Sequence, residues 1–274
     1  MAGLILPGHN AKFGSYSMMD LKTKKVVHSN EVKNSNAMEK EGFQRSVQLL
    51  QAEGLTLSTL ITDRHPQIQK LVRETMPAVS HFYDVWHVAK GLRKKLEALA
   101  KEKDCEALSP WIKSIVNHLY WCAASTPHGD PELVLEKWRS VINHVQKNIH
   151  VGHGAKGSTN ASIPGRKRGT QKKWLKCGTK AAEKLGLLLE KPRLLKDVRK
   201  ISPQYQTSAV ESFHRVIINF APKMVGFSYM GMLSRLYLSA MHFNENGTRP
   251  QAHDDNGEFK FRIKYKKYRR DNMC

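Results

Sequence analysis

The stretch LITDRHPQIQKLVRETMPAVSHFYDVWHVAKGL, residues 60–92, places two acids and a histidine where they could do chemistry. Asp63 follows one short apolar run, Asp84 follows a second, and His87 comes three residues later. Carboxylates at the ends of adjacent strands make a place for a divalent metal, because open α/β sheets put ligand sites at strand ends. Hard cations such as Mg2+ prefer carboxylate oxygens and keep water positions open. A third acid, Glu211, lies in TSAVESFHRVIINFAPK, a helix capped by Thr207 or Ser208, with Val210, Phe213, Ile217 and Phe220 as its expected buried stripe. A carboxylate beside such a stripe is costly unless a metal or a basic partner meets it. The dipole of the helix N-terminus offers a second explanation for the same acid. His65, His81, His87 and His214 gather around these acids, but neither HExxH nor CxxC spacing supports zinc. Hydrogen-bonded structural roles are expected for them.

The elements that must position these residues follow from hydrophobic spacing. SYSMMD, LKTKK and VVHSNEVK read as strand, polar turn and strand, and GLILPG adds a strand in front. AMEKEGFQRSVQLLQAE, residues 37–53, carries Met38, Phe43, Val47 and Leu50 at helical spacing, and Gly54 stops it. LTLSTLIT reads as a buried strand. Pro66 suits the first turn of a helix with Ile68, Leu71 and Val72 on its apolar face, and Pro77 closes it. AVSHFYDVWH reads as another strand, running into the helical VAKGLRKKLEALAKEK. This order predicts an α/β protein with a hairpin first and parallel crossings later. Residues 93–148 read as helices, with Trp111, Tyr120, Trp121 and Trp138 on apolar faces. Residues 149–173 are Gly-rich and basic and read as a loop. Helices are expected again at 178–199, 207–220 and 226–243, before a basic, aromatic tail.

Charge points to the partner. The 274 residues include 45 Lys and Arg against 24 Asp and Glu, a formal net charge of +21. Such a field attracts polyanions, nucleic acid first among them. Candidate phosphate contacts are Arg166, Lys167, Arg168, Lys172 and Lys173 in the loop, and Lys264, Lys266, Lys267, Arg269 and Arg270 in the tail. The run at 166–168 also fits a nuclear import signal. No apolar run is long enough to cross a bilayer, and MAGLILPGHN lacks the basic start of a signal peptide. Cys105, Cys122, Cys177 and Cys274 are scattered, which argues against a zinc finger or a disulfide scaffold and for reduced intracellular thiols.

TDRHPQIQKLVRETMPAVSHFYDVWHVAKGL resembles the segment around the second acid of DDE/D transposases, among them the Mutator-like and Kolobok-like groups and a bacterial insertion-sequence group. PGHNAKFGSYSMMD, MEKEGFQRSVQLLQAEGL, NHLYWCAASTPHGDPELVLEKW and SAVESFHRVIINFAPKM extend the resemblance over residues 7–243. It implies an RNase H-like mixed β-sheet core with a helical insertion between the second and third acids. Residues 1–92 would form the first part of the core and 93–199 the insertion, including the loop 149–173. Residues 200–245 would be the C-terminal core helices and 246–274 the basic tail. The resemblance makes Asp63 and Glu211 the second and third catalytic acids and the metal ligands, supported by Asp84 and His87, with Mg2+ or Mn2+ as the family's cofactor.

The first acid departs from the pattern. Its place on strand one reads Leu4-Ile5-Leu6-Pro7, with Ile5 or a neighbour in the position. Asp20 ends a strand that runs away from the site and is a poor substitute. An acid there would bridge two ions that clamp the attacking and leaving oxygens of a phosphoryl transfer. Without it, binding of the ion is expected to be weak or absent. The chain also starts almost at strand one, so the resemblance implies an N-terminally truncated form without an upstream DNA-binding domain. The expectation is a nuclear, transposase-derived protein that binds DNA, touches no membrane and is catalytically impaired, with self-association into a homo-oligomer left open. Two alternatives stay open: an active metal-dependent transposase or nuclease with a recruited acid, and a domesticated structural or interaction protein.

Overall fold

A computed structural model describes residues 2–5, 13–33, 38–126, 128–146, 174–203, 207–247 and 249–260. Three antiparallel strands come first, β1 (Ala2–Ile5), β2 (Phe13–Asp20) and β3 (Lys25–Lys33), paired in that order. The Asp20 carboxylate closes the β2–β3 turn by accepting the Lys22 and Thr23 amides and the Thr23 hydroxyl. Side chains alternate across a strand, and both faces of β2 are covered. Tyr16 and Met18 pack with Phe43, Val47 and Leu50 of α1 (Met38–Ala52). Met19 packs with Phe213 and Ile217 of α8 (Ser208–Phe220) and Leu236 of α9 (Tyr229–Asn246). The Asn244 side chain of α9 accepts the Val26 amide at 2.8 Å and donates to its carbonyl at 2.9 Å, a partner for the sheet's edge.

β4 (Thr59–Thr62) and β5 (Ser80–Tyr83) form a parallel pair, with α2 (Pro66–Thr75) between them in the chain. β1 lies beside β4, although no ladder joins the two sheets among the described residues. Downstream, α3 (Val85–Leu99), a 3-10 turn (Glu106–Trp111), α4 (Ile112–Ala124), α5 (Pro131–Gln146), α6 (Lys180–Leu189) and α7 (Pro192–Val198) share one apolar core. Trp138 is wholly buried there, and its indole N–H donates to the Leu189 carbonyl. The chain then returns to the sheet. Ile201 bridges Tyr83 in parallel, and Arg64 after β4 pairs with Asp197 of α7 at 2.5 Å.

The mixed α/β class is the one expected, but several local expectations shift. The strand expected over 78–87 ends at Tyr83, because Asp84 caps α3 and accepts the Trp86 amide at 3.0 Å. Trp86 and His87 are therefore helical. LTLSTLIT is strand only from Thr59. Pro192 opens a new helix, so the region 178–199 is two helices rather than one. Trp111 and Trp138 are buried, but Trp121 is 49% exposed, and Tyr120 and Phe220 are half-buried. The basic residues named at 166–173 and 264–270, and Cys274, lie outside the described residues. Cys105, Cys122 and Cys177 are free thiols.

Candidate functional site

The parallel register pairs Thr62 with Tyr83, so the next residues, Asp63 and Asp84, emerge side by side from the ends of β4 and β5. The Asp84 amide donates to the Thr62 carbonyl at 3.1 Å, which keeps the strand ends together. Asp84 is fully buried. Its Oδ1 accepts the Trp86 amide, and its Oδ2 accepts the Thr207 hydroxyl at 2.6 Å and stands 2.8 Å from His87 Nδ1. Thr207 was expected as a helix cap, yet its hydroxyl caps nothing in α8 and serves Asp84 instead.

Asp63 is more open, with 40% of its side chain exposed. Its Oδ1 is nonetheless buried and makes no aligned hydrogen bond, although His87 Nδ1 stands 2.8 Å away. Burial alone would lower the His87 pKa, but the contacts and charges of Asp63 and Asp84 outweigh it and raise it to about 9. At neutral pH an imidazolium therefore sits between the two carboxylates. Ligand atoms of Asp63, Asp84 and His87 lie within 4.8 Å of one another, and among the described residues this is the group able to hold a metal ion.

Other polar groups face the same region. Glu39, in the first turn of α1, has its pKa pushed up to about 7 by burial and the charge of Asp63, against the opposing pull of His87. His65 Nε2 stands 3.4 Å from Glu39 Oε2, and burial lowers the His65 pKa. His214 of α8 is lowered to about 4, chiefly by burial, and its Nε2 is buried without a hydrogen-bond partner. Burial and the charges of Glu39 and Asp63 raise the Tyr16 phenol well above its usual value. His81 is turned elsewhere: its Nε2 lies 2.8 Å from Thr62 Oγ1, and burial lowers its pKa to about 4.

Glu211 lies one turn beyond Thr207 and lines a pocket with Trp86, Tyr120 and Arg215 rather than joining the close group of Asp63, Asp84 and His87. Ile5 ends β1, opposite Ser15 of β2. Glu39 was missed at the level of sequence, where it reads as an ordinary first-turn acid. Its burial depends on Gly42, three residues on, where a Cβ would come within 2.5 Å of Tyr16 Cβ. Only a glycine lets α1 approach β2 this closely.

A family model for the Mutator-like transposase matches residues 8–159, more than half of the chain. The chain belongs to the Mutator-like transposase family. No curated protein matches it in sequence. Membership implies interaction with DNA, and such transposases usually depend on a metal. The residues fit one divalent cation: two carboxylates and an imidazole offer ligand atoms within 4.8 Å of one another, with Asp63 the more open of the two acids. Asp84 is already engaged by three donors, and His87 must lose its proton before it can ligate. Among the described residues, no helix is long and apolar enough to cross a membrane.

Proposed function

We propose that this chain is a transposase-derived protein with an RNase H-like core that binds DNA in the nucleus and is impaired in strand cleavage and transfer. The observation that carries this reading is Ile5 at the end of β1, beside β4, where the resemblance calls for the first acid. The His87 imidazole, 2.8 Å from both Asp63 and Asp84, adds to it, since it occupies the space between the two remaining acids. The resemblance assigns Mg2+ or Mn2+ to Asp63 and Glu211, but Glu211 stands outside the close group, so Asp63, Asp84 and a deprotonated His87 are the residues that would hold the ion, which would stabilise charge on a phosphoryl oxygen. Asp84 and His87 support Asp63 and shape its surroundings.

A second reading has its own observation. Glu39 is a half-buried acid electrostatically coupled to Asp63 and His87, and it is the candidate for a recruited carboxylate in an active enzyme. Nicking of supercoiled plasmid in Mg2+ and in Mn2+ separates the readings. Impairment predicts no cleavage above that of Asp63→Ala. Robust cleavage lost in both Asp63→Ala and Glu39→Ala supports the active enzyme. DNA binding itself is tested by titration over a salt series, since phosphate contacts give a steep slope. A flat or absent response favours a structural role.

A further inference from the structure

Trp86 is 39% exposed at the start of α3, next to the buried Asp84. Its position is fixed, because its amide is held by Asp84 Oδ1. Trp86 lines a pocket of about 300 Å³ together with Tyr120, Glu211 and Arg215, and Thr207, Ser208 and Ser212 are also in the lining. Thr207 is also the donor to Asp84 Oδ2, so the pocket shares a wall with the Asp63–Asp84–His87 group.

From Trp86 the exposed face of α3 continues through Lys90, Arg93 and Lys94, at the spacing of successive helical turns. The Lys90 ammonium lies 4.7 Å from the centre of the Trp86 ring. Neither these three cations nor Arg215 forms an ion pair among the described residues. An exposed aromatic ring bordered by cations that form no ion pair is the pattern that binds single-stranded nucleic acid, with bases on the ring and phosphates on the charges. Glu211 in the lining disfavours a phosphate inside the pocket. A neutral base fits better, since a carboxylate accepts from the amino groups on its edge.

We infer that this pocket takes one unpaired nucleobase of a DNA strand, stacked on Trp86, while Lys90, Arg93 and Arg215 hold the neighbouring phosphates. The inference rests on the DNA-binding reading and adds to it which part of the DNA is recognised and where.

The test titrates the full chain with two hairpin duplexes of equal length. One is fully paired, and the other ends in a single unpaired 2-aminopurine. The unpaired duplex should bind roughly tenfold tighter, as one stacked base allows, and its 2-aminopurine emission should fall on binding. Trp86→Ala should bring it down to the affinity of the paired duplex and abolish the quench. Trp86→Phe keeps a ring and should retain most of both effects. Replacing Lys90 and Arg93 by Ala should weaken both duplexes and lower the salt slope by about one for each phosphate that is no longer neutralised. Equal affinities with unchanged emission in the parent chain would overturn the pocket and leave DNA binding standing. A preference that survives Trp86→Ala would also overturn it. Binding to neither duplex would remove the DNA reading and this inference together.

Discussion

The Thr207 hydroxyl donates a 2.6 Å hydrogen bond to Asp84 Oδ2 across 123 residues of chain. It pins the start of α8 to the start of α3 and supplies one of three donors to a carboxylate with no exposure to water. A buried charge is tolerated only when its oxygens are satisfied. Thr207→Val keeps the shape and removes the donor, so it should cost about 2 kcal/mol. Thr207→Ser should keep most of that. Urea unfolding of the three proteins checks the point, and a valine variant as stable as the parent would refute it.

The His87 contacts predict a particular pH dependence. The folded pKa of about 9 lies above the ordinary 6.5, so the group stabilises the fold fully below 6.5. That stability fades as pH rises through 9. The group is partly solvated, so the contribution is about 1 to 2 kcal/mol after screening is discounted. His87→Gln should remove this slope between about pH 6.5 and 9.5. Parallel stability curves for parent and variant over that range would show that the imidazolium does not sit between the acids in solution.

Glu39 should add a fall of the same sign at lower pH, as a penalty that appears rather than a gain that is lost. Its folded pKa of about 7 lies above the usual 4.5, so its burial becomes destabilising as pH climbs from 4.5 through 7. Glu39→Gln should leave stability unchanged at about pH 4 and raise it by about 1 kcal/mol at about pH 8. Thermal melts at the two pH values decide this. A gain of equal size at both would point to packing rather than charge.

Two glycines in helices should respond differently to alanine. At Gly42 a new methyl would overlap Tyr16 Cβ and Cγ, and overpacking of this kind costs about 1 to 3 kcal/mol. At Gly186 in α6 nothing lies within 4 Å, and alanine should stabilise by about 0.5 to 1 kcal/mol. Chemical denaturation of both variants measures the contrast. A neutral Gly42→Ala would mean that α1 stands farther from β2.

Much of this arrangement is legible in local sequence. Period-two and period-3.6 patterns reveal the β4–α2–β5 unit, and the positions of Asp63 and Asp84 at its strand ends follow from where the apolar runs stop. The end of β5 is harder to place, because SHFYDVWH is equally rich in strand formers on both sides of Asp84, and only the cap to the Trp86 amide ends the strand. Thr207 reads as a local cap because the competing acceptor, Asp84, is 123 residues away. Glu39 reads as a surface acid because its burial depends on how closely α1 meets Tyr16. Trp121 reads as core because hydrophobicity outweighs its place on the outer side of α4, where the neighbouring Cys122 is the buried residue. For Thr207 and Glu39 the deciding contact joins segments well apart in the chain.

Ile5 ends β1, pairs with β2 there, and lies on a strand beside β4, whose end carries Asp63. If the sheet has the register of the family's catalytic core, an acid at this position adds a ligand to the existing carboxylates. Ile5→Asp should then tighten Mn2+ binding about tenfold, since affinity for hard cations grows with the number of charged oxygen ligands. Calorimetry or the paramagnetic resonance of free Mn2+ measures this without any requirement for cleavage. Ile5→Asn supplies the polar control without the charge and should bind no better than the parent. Asp63→Ala in the Ile5→Asp background should abolish the gain, because the new carboxylate needs its neighbour. If Ile5→Asp and Ile5→Asn bind Mn2+ alike while both remain folded, the first acid belongs at another position and Glu39 becomes the residue to test next.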